Sequence, residues 1–332
     1  MATPAFRLDA PRRALMTMAF AATLVAVSAC DPFGLPATRA MENGVATALT
    51  SARSLEIAGA YSASGTSWTV DLQVVRPNTR HLVVTSHDQT VEAVIAGPDA
   101  YFRGQQFLAG RLAGNPLAPT LVNAAGNSWW KDTASLVPNM PDFTDGNAFR
   151  STFLGTAVTS RTDHQSVDGI DAVELSGARA DVFIASTPPY HPLRVHLKKG
   201  ASVDGITDAD LRFSSFDRDF QIAIPSNVID FSNFSTLPPI YTVVSVDTSG
   251  CGSPCVVSAK LKNLGGTASA LTPSTIKFTM TDPASGQTLG SCRATVQPDV
   301  GYNSTTTVSC TLDAAASSAA VVTATADNPG RG

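Results

Sequence analysis

From Leu55 onward the chain alternates apolar and polar positions with a period of two. Trp68, Val70, Leu72 and Val74 interleave with Thr69, Asp71 and Gln73. Leu82 and Val84 follow the Arg76-Pro77-Asn78 turn, and Val91, Ala93 and Ile95 follow His87-Asp88. This pattern predicts half-buried antiparallel strands joined by short turns, with Tyr101-Phe102 closing the run. Ahead of it, Met41, Val45, Leu49 and Ala52 are spaced by four and three, which predicts an amphipathic helix over 36–53 despite Gly44. Residues 104–156 break the alternation. Phe107, Leu108 and Leu112, then Leu117, Leu121 and Val122, then Phe149, Phe153 and Leu154 recur at helical spacing, with Trp129-Trp130 as a short strand between them. Alternation resumes over 164–167, 172–175, 180–185, 193–197, 211–216 and 222–225. Helices inserted into a sheet sequence are expected to lie across one of its faces.

Leu237-Pro238-Pro239 breaks the chain, and residues 236–239 are read as a linker. Beyond it, Val257, Ala259 and Leu261, then Ile276, Phe278 and Met280, alternate with Ser, Lys and Thr around an Asn263-Leu264-Gly265-Gly266 turn. Short strands at this spacing predict a β-sandwich over 240–328. Its four cysteines allow three disulfide connectivities. The segments around Cys292 and Cys310 flank a turn near Gly301, so a hairpin there would pair Cys292 with Cys310 and leave Cys251 with Cys255. Four thiolates could also hold zinc, but the CxxxC spacing with two lone cysteines suits that poorly.

A fifth cysteine stands apart. Arg12-Arg13 precedes a run from Ala14 to Ala29 that is apolar except for Thr17, Thr23 and Ser28, the layout of a secretory signal. Val27-Ser28-Ala29-Cys30 resembles the bacterial lipobox, which implies cleavage before Cys30 and a diacylglycerol thioether on it. Two acyl chains anchor stably where one does not. The chain is thus divided into a signal peptide (1–29), a short tether (30–35), a first domain (36–235), the linker and the sandwich. The expected location is the extracytoplasmic face of the cell membrane, held by lipid at Cys30. The twin arginine fits folded-state export only loosely, so the export route stays open.

Charge changes the picture by exclusion. The whole chain carries a net −4, and removing Arg7, Arg12, Arg13 and Asp9 with the leader gives −4 − 2 = −6. Charged residues make up 15% of the chain. No basic surface for nucleic acid is expected. Arg outnumbers Lys 17 to 6, a hint of a GC-rich genome. His81, His87, His164, His191 and His196 are scattered, with no HExxH, nucleophile elbow or phosphate-cradling loop. Asp204, Asp208 and Asp210 with Gly205 do not follow a calcium-loop spacing and read as a solvated acidic turn. The chain is therefore read as a non-enzyme without metal or cofactor.

The order of Leu55-Glu56-Ile57-Ala58-Gly59, Asp99-Ala100-Tyr101-Phe102-Arg103-Gly104, Asn127-Ser128-Trp129-Trp130-Lys131, 167–177, Tyr190-His191-Pro192-Leu193-Arg194-Val195 and Phe213-Ser214-Ser215-Phe216 with Ile222-Ala223-Ile224-Pro225 resembles the LppX/LprG group of mycobacterial lipoproteins, within the LolA-like class of envelope lipid carriers. The resemblance implies a mainly β, α+β first domain: a curved antiparallel half-barrel whose concave face, lidded by helices, holds acyl chains. The last domain is similar to exported immunoglobulin-like modules. No binding motif transfers residue by residue. The candidate wall of a lipid cavity is Trp68, Val70, Leu72, Val74, Leu82, Val84, Phe107, Leu121, Phe149, Phe153, Val182, Ile184, Leu193 and Val195. Apolar periodicity alone does not separate a lined cavity from a packed core. The expected partners are a lipid or glycolipid and the membrane itself. An envelope sensor of the same fold, or a surface protein docking an envelope partner through its sandwich, are the rival readings.

Overall fold

A computed structural model describes residues 35–136, 143–313 and 320–331. The signal peptide and Cys30 lie outside the described residues. The elements in order are α1 (Thr38–Ser51), β1 (Ser54–Ala63), β2 (Thr66–Val75), β3 (Thr79–Thr85), β4 (Thr90–Ala96), β5 (Asp99–Arg103), α2 (Gln105–Arg111), α3 (Ala118–Ala125), β6 (Trp130–Thr133) and α4 (Gly146–Phe149), which runs into a π-helical turn (Arg150–Leu154). There follow β7 (Ser160–Val167), β8 (Ile170–Ser176), β9 (Ala180–Ala185), β10 (Pro192–Leu197), β11 (Ile206–Ser214) and β12 (Ile229–Asp230). The C-terminal strands are β13 (Tyr241–Asp247), β14 (Cys255–Asn263), β15 (Thr275–Thr281), β16 (Thr288–Thr295), β17 (Thr305–Leu312) and β18 (Val321–Asp327). The fold is mainly β. Its chain divides into two compact units, 1–50 with 143–193, and 51–142 with 194–332.

In the larger unit the strands run β12-β6-β5-β4-β3-β2-β1-β11-β10 in one curved, open sheet. Register aligns its apolar positions into a row: Phe213 opposite Ile57, then Leu72, Leu82, Ala93, Phe102 and Trp130. Every member is buried. Because side chains alternate across a strand, the residues between them face the other way and carry the charge. Gly104 turns the chain from β5 into α2 at φ 144°, where a Cβ would lie 2.6 Å from the Thr90 carbonyl oxygen. The turn lays Phe107 over the row, its ring 5.6 Å from Phe102 and 5.9 Å from Trp130.

The smaller unit orders β9-β8-β7 and packs α1 and α4 by close backbone approach. A Cβ on Gly146 would sit 1.9 Å from the Ala46 carbonyl oxygen, so the α1–α4 crossing requires glycine there. Met41, Val45 and Leu49 form the buried stripe of α1.

One expectation fails here. Residues 222–225 form no strand: Ile224 is exposed, Pro225 lacks an N–H, and the chain pairs only further on, where Ile229 joins Trp130 in parallel. Within the expected linker, 236–239, residues 237–239 are buried. The Leu237 carbonyl accepts the Gly266 N–H, and Pro238 leaves no room for a Cβ on Gly265.

The C-terminal strands form two three-stranded sheets, β13-β14-β17 and β16-β15-β18. Disulfides join Cys251 to Cys255 and Cys292 to Cys310. The hairpin expected around Gly301 does not exist, because β16 and β17 belong to different sheets. Their disulfide therefore ties sheet to sheet, and Val257, Ala259, Ile276, Phe278 and Met280 fill the space within. Asn263 closes the end of this core. Its buried Oδ1 accepts from the N–H groups of Ile240 and Gly265, and its Nδ2 donates to the carbonyls of Gly266 and Val300. Asn263→Ala strands all four groups. A loss of roughly 2–4 kcal/mol is expected in chemical denaturation, and Asn263→Asp, which sets a buried carboxylate oxygen against the Gly266 and Val300 carbonyls, should lose at least as much.

Candidate functional site

The larger unit contains a cleft of about 470 Å³ lined by Tyr61, Ala63, Ser64, Thr66, Trp68, Val84, Gln89, Val91, Phe107, Asp204, Gly205 and Ile206. Its size falls within the roughly 300–1,000 Å³ typical of small-molecule sites. Its walls follow from register. Tyr61 stands opposite Trp68 on β1 and β2, Val84 opposite Val91 on β3 and β4, and Ile206 opposite Ala63. Phe107 reaches in from α2.

Two tight turns form part of the rim. Ser64-Gly65 (φ 50° and 77°) and Asp204-Gly205 (φ 50° and 82°) both hold positive φ at two consecutive positions, the geometry of a two-residue type I′ hairpin. In the second, Val203 and Ile206 exchange both backbone hydrogen bonds. The acidic turn read from the sequence is thus a hairpin tip, and its Asp210 is engaged elsewhere, by the Arg194 guanidinium.

The interior is apolar with few polar groups. Val84, Val91, Ile206 and Tyr61 are buried, and Trp68 and Phe107 are half-buried at the opening. The Tyr61 hydroxyl makes no hydrogen bond among the described residues, and burial raises its pKa above 10.0, so it stays a neutral donor. Ser64, Thr66, Gln89 and Asp204 supply the remaining polarity.

Of the candidate wall residues, Trp68, Val84 and Phe107 meet in this cleft. Val70 lies opposite Val84 and Leu72 opposite Leu82, forming the packed floor beneath, with Val74 beyond them and Val195 beside Leu211. Leu121 lies on α3 and lines a separate apolar pocket of about 150 Å³ with Ile240, Leu264 and Tyr302. In the smaller unit Phe149 and Phe153 are fully buried, with rings 4.9 Å apart, and Phe143 stacks on Phe153. Val182 and Ile184 lie opposite Leu175 and Val173. Leu193 packs instead with Val167, Ala172 and Phe183, and Phe183 points away from the face of its neighbours Val182 and Ile184. Tyr61, Val91 and Ile206 were missed by sequence reasoning. Counting back from Trp68 across the Ser64-Gly65 turn would have placed Tyr61 opposite it.

Behind the cleft strands, the sheet's other face is polar. Glu92 accepts from His81 Nε2 at 2.9 Å and from Arg103. Burial works against its carboxylate, but these donors outweigh it and hold its pKa below 4.5. Asp210 is likewise held below 3.8, chiefly by its hydrogen bond from Arg194. Asp71 moves the other way, raised by burial and then by Glu56.

No family model matches the chain, and no curated protein matches it. Among solved structures it is similar to MucB in complex with MucA(peri), at a TM-score of 0.28 and 12% identity over 83% of this chain and 93% of that one. It is also similar to the Pseudomonas aeruginosa MucA/MucB complex, at a TM-score of 0.27 and 13% identity over 83% and 94%. The fold class given above rests on this chain's own strands and their pairing.

A depressed carboxylate stabilises the fold above its unfolded pKa and loses that contribution as pH falls through its folded pKa. Glu92 and Asp210 should therefore make thermal stability fall between about pH 5 and pH 3. Glu92→Gln should flatten that fall in a melting series, and Asp71→Asn should leave the acid limb in place.

Proposed function

We propose that the chain is a membrane-anchored envelope lipoprotein that binds lipid or glycolipid acyl chains in the cleft beside Trp68 and Phe107. The observation that carries this reading is the cleft's make-up: aromatic and branched aliphatic walls, a half-open aromatic mouth and a few polar groups at the rim. Each methylene moved from water into such a wall contributes about 0.8 kcal/mol, so an acyl chain is the occupant that gains most. Tyr61 and Gln89 are placed to hydrogen-bond the polar end of such a molecule.

The anchor belongs to the same reading. A diacylated Cys30 at the extracytoplasmic surface would keep the cleft near its source of lipid. The chain acts here by binding and carries out no reaction. The reading leaves transfer and sensing as two uses of one bound lipid.

Charging the mouth tests it. An unpaired carboxylate against acyl chains is strongly disfavoured, so Trp68→Asp with Phe107→Asp should lower bound lipid at least about tenfold in native mass spectrometry of envelope-purified protein. Phe107 also packs on Phe102 and Trp130, so the melting transition is read on the same sample, and Trp68→Asp alone, at the opening, should keep it. By contrast, Phe149→Asp with Phe153→Asp should unfold the protein, because those rings are core. A folded Trp68/Phe107 variant with undiminished lipid would contradict the assignment.

A further inference from the structure

A second cleft, in the smaller unit, has the opposite chemistry. It measures about 730 Å³ and is lined by Thr38, Arg39, Glu42, Arg150, Ser151 and residues 155–158. The lining holds two arginines and one glutamate, so it carries a net positive charge in a chain that is acidic overall. Neither Arg39 nor Arg150 forms an ion pair among the described residues. Arg150 is instead held by a hydrogen bond from Nη1 to Asn43 Oδ1, 3.0 Å long, which leaves its other N–H groups available. A third guanidinium fixes the entry of the chain beside this cleft. Arg161 donates from Nη1 to the Pro36 carbonyl at 2.8 Å and to Thr38 Oγ1, and its Nε pairs with Asp163. Arg161 Nη2 is buried without a hydrogen-bond partner among the described residues.

We propose that this cleft takes the phosphate of an anionic phospholipid headgroup through Arg39 and Arg150. Two observations lead there. The first is composition: Arg39 and Arg150 line one cleft, and guanidiniums match phosphate oxygens with planar, multidentate donors. The second is position: the described chain begins at Leu35, five residues after Cys30, and an extended tether of that length reaches about 17 Å. This second step rests on the lipoprotein reading of Cys30. A cationic cleft held that close to a leaflet containing anionic lipid is drawn to it by charge. The contact would orient the tethered protein where the acyl anchor alone only holds it.

The test uses the mature chain carrying Cys30→Ser, so that no acyl chain contributes to membrane binding. Flotation should show association with vesicles of phosphatidylcholine containing phosphatidylglycerol, and none with phosphatidylcholine alone. Arg39→Glu with Arg150→Glu should weaken association at least about tenfold with an unchanged melting transition. Arg39→Gln with Arg150→Gln should lie between. Equal binding to both vesicles, or charge-reversed protein that still binds, overturns the proposal. Saturation by millimolar inorganic phosphate without any vesicle association also overturns it, since the site would then serve free phosphate. Acylation of wild-type Cys30, read separately by mass spectrometry, reports on the anchor: a missing acyl group with intact vesicle selectivity would fault the anchor and uphold the cleft.

Discussion

The larger unit depends on removing one apolar sheet face from water. Register gathers Phe213, Ile57, Leu72, Leu82, Ala93, Phe102 and Trp130 into a single buried row, and burying a large apolar side chain is worth about 1.5–3 kcal/mol. The helices inserted between β5 and β6 are the cover this face requires. Gly104 makes the sharp departure from the sheet possible, and Phe107 lands on Phe102 and Trp130. Past Phe107 the row through Val84 and Val91 opens into the cleft between the hairpin tips at Ser64-Gly65 and Asp204-Gly205. The candidate site is thus the place where the cover stops.

The sandwich is tied to that cover. Its last residues return to α3, where the Arg331 N–H donates to the Ala124 carbonyl and a Cβ on Gly330 would sit 2.3 Å from the Asn123 carbonyl oxygen. The Arg331 side chain is buried against Asn227 and the Thr236 carbonyl, and burial pulls its pKa down. A buried cation held only by neutral oxygens is costly, so its position is fixed by the bonds it makes. Asn263 performs the matching role at the sandwich's near end, where it holds Ile240. The C-terminal strands therefore brace α3 as well as forming a core of their own.

Much of this was legible in the chain. Period-two alternation from Trp68 to Ile95 gave the strands, and helical spacing around Phe107 and Leu121 gave the covering helices within a few residues. What escaped was long-range. The pairing of Cys292 with Cys310 followed from a local hairpin that is absent; the bond in fact joins two sheets, and sequence proximity cannot distinguish those cases. Ile222 to Pro225 alternates like a strand but pairs with no strand among the described residues. Cleft and core residues share one pattern, since Val84 lines a space while Leu82, two positions before it, packs solidly. Polarity at the rim, from Tyr61, Gln89 and Asp204, depends on turns that bring distant segments together. The anchor proposed at Cys30 rests on the sequence, because Cys30 falls outside the described residues.

The central claim is that acyl chains occupy the cleft of the larger unit, and photocrosslinking tests it most directly. A phospholipid with a diazirine near the end of one acyl chain is incorporated into vesicles with the acylated protein, irradiated, and its adducts mapped by peptide mass spectrometry. The account predicts adducts concentrated on the peptides that carry Tyr61 to Trp68, Val84 to Val91 and Phe107, reduced when unlabelled lipid competes. Adducts confined to the sandwich strands, or spread over the surface without competition, would contradict it.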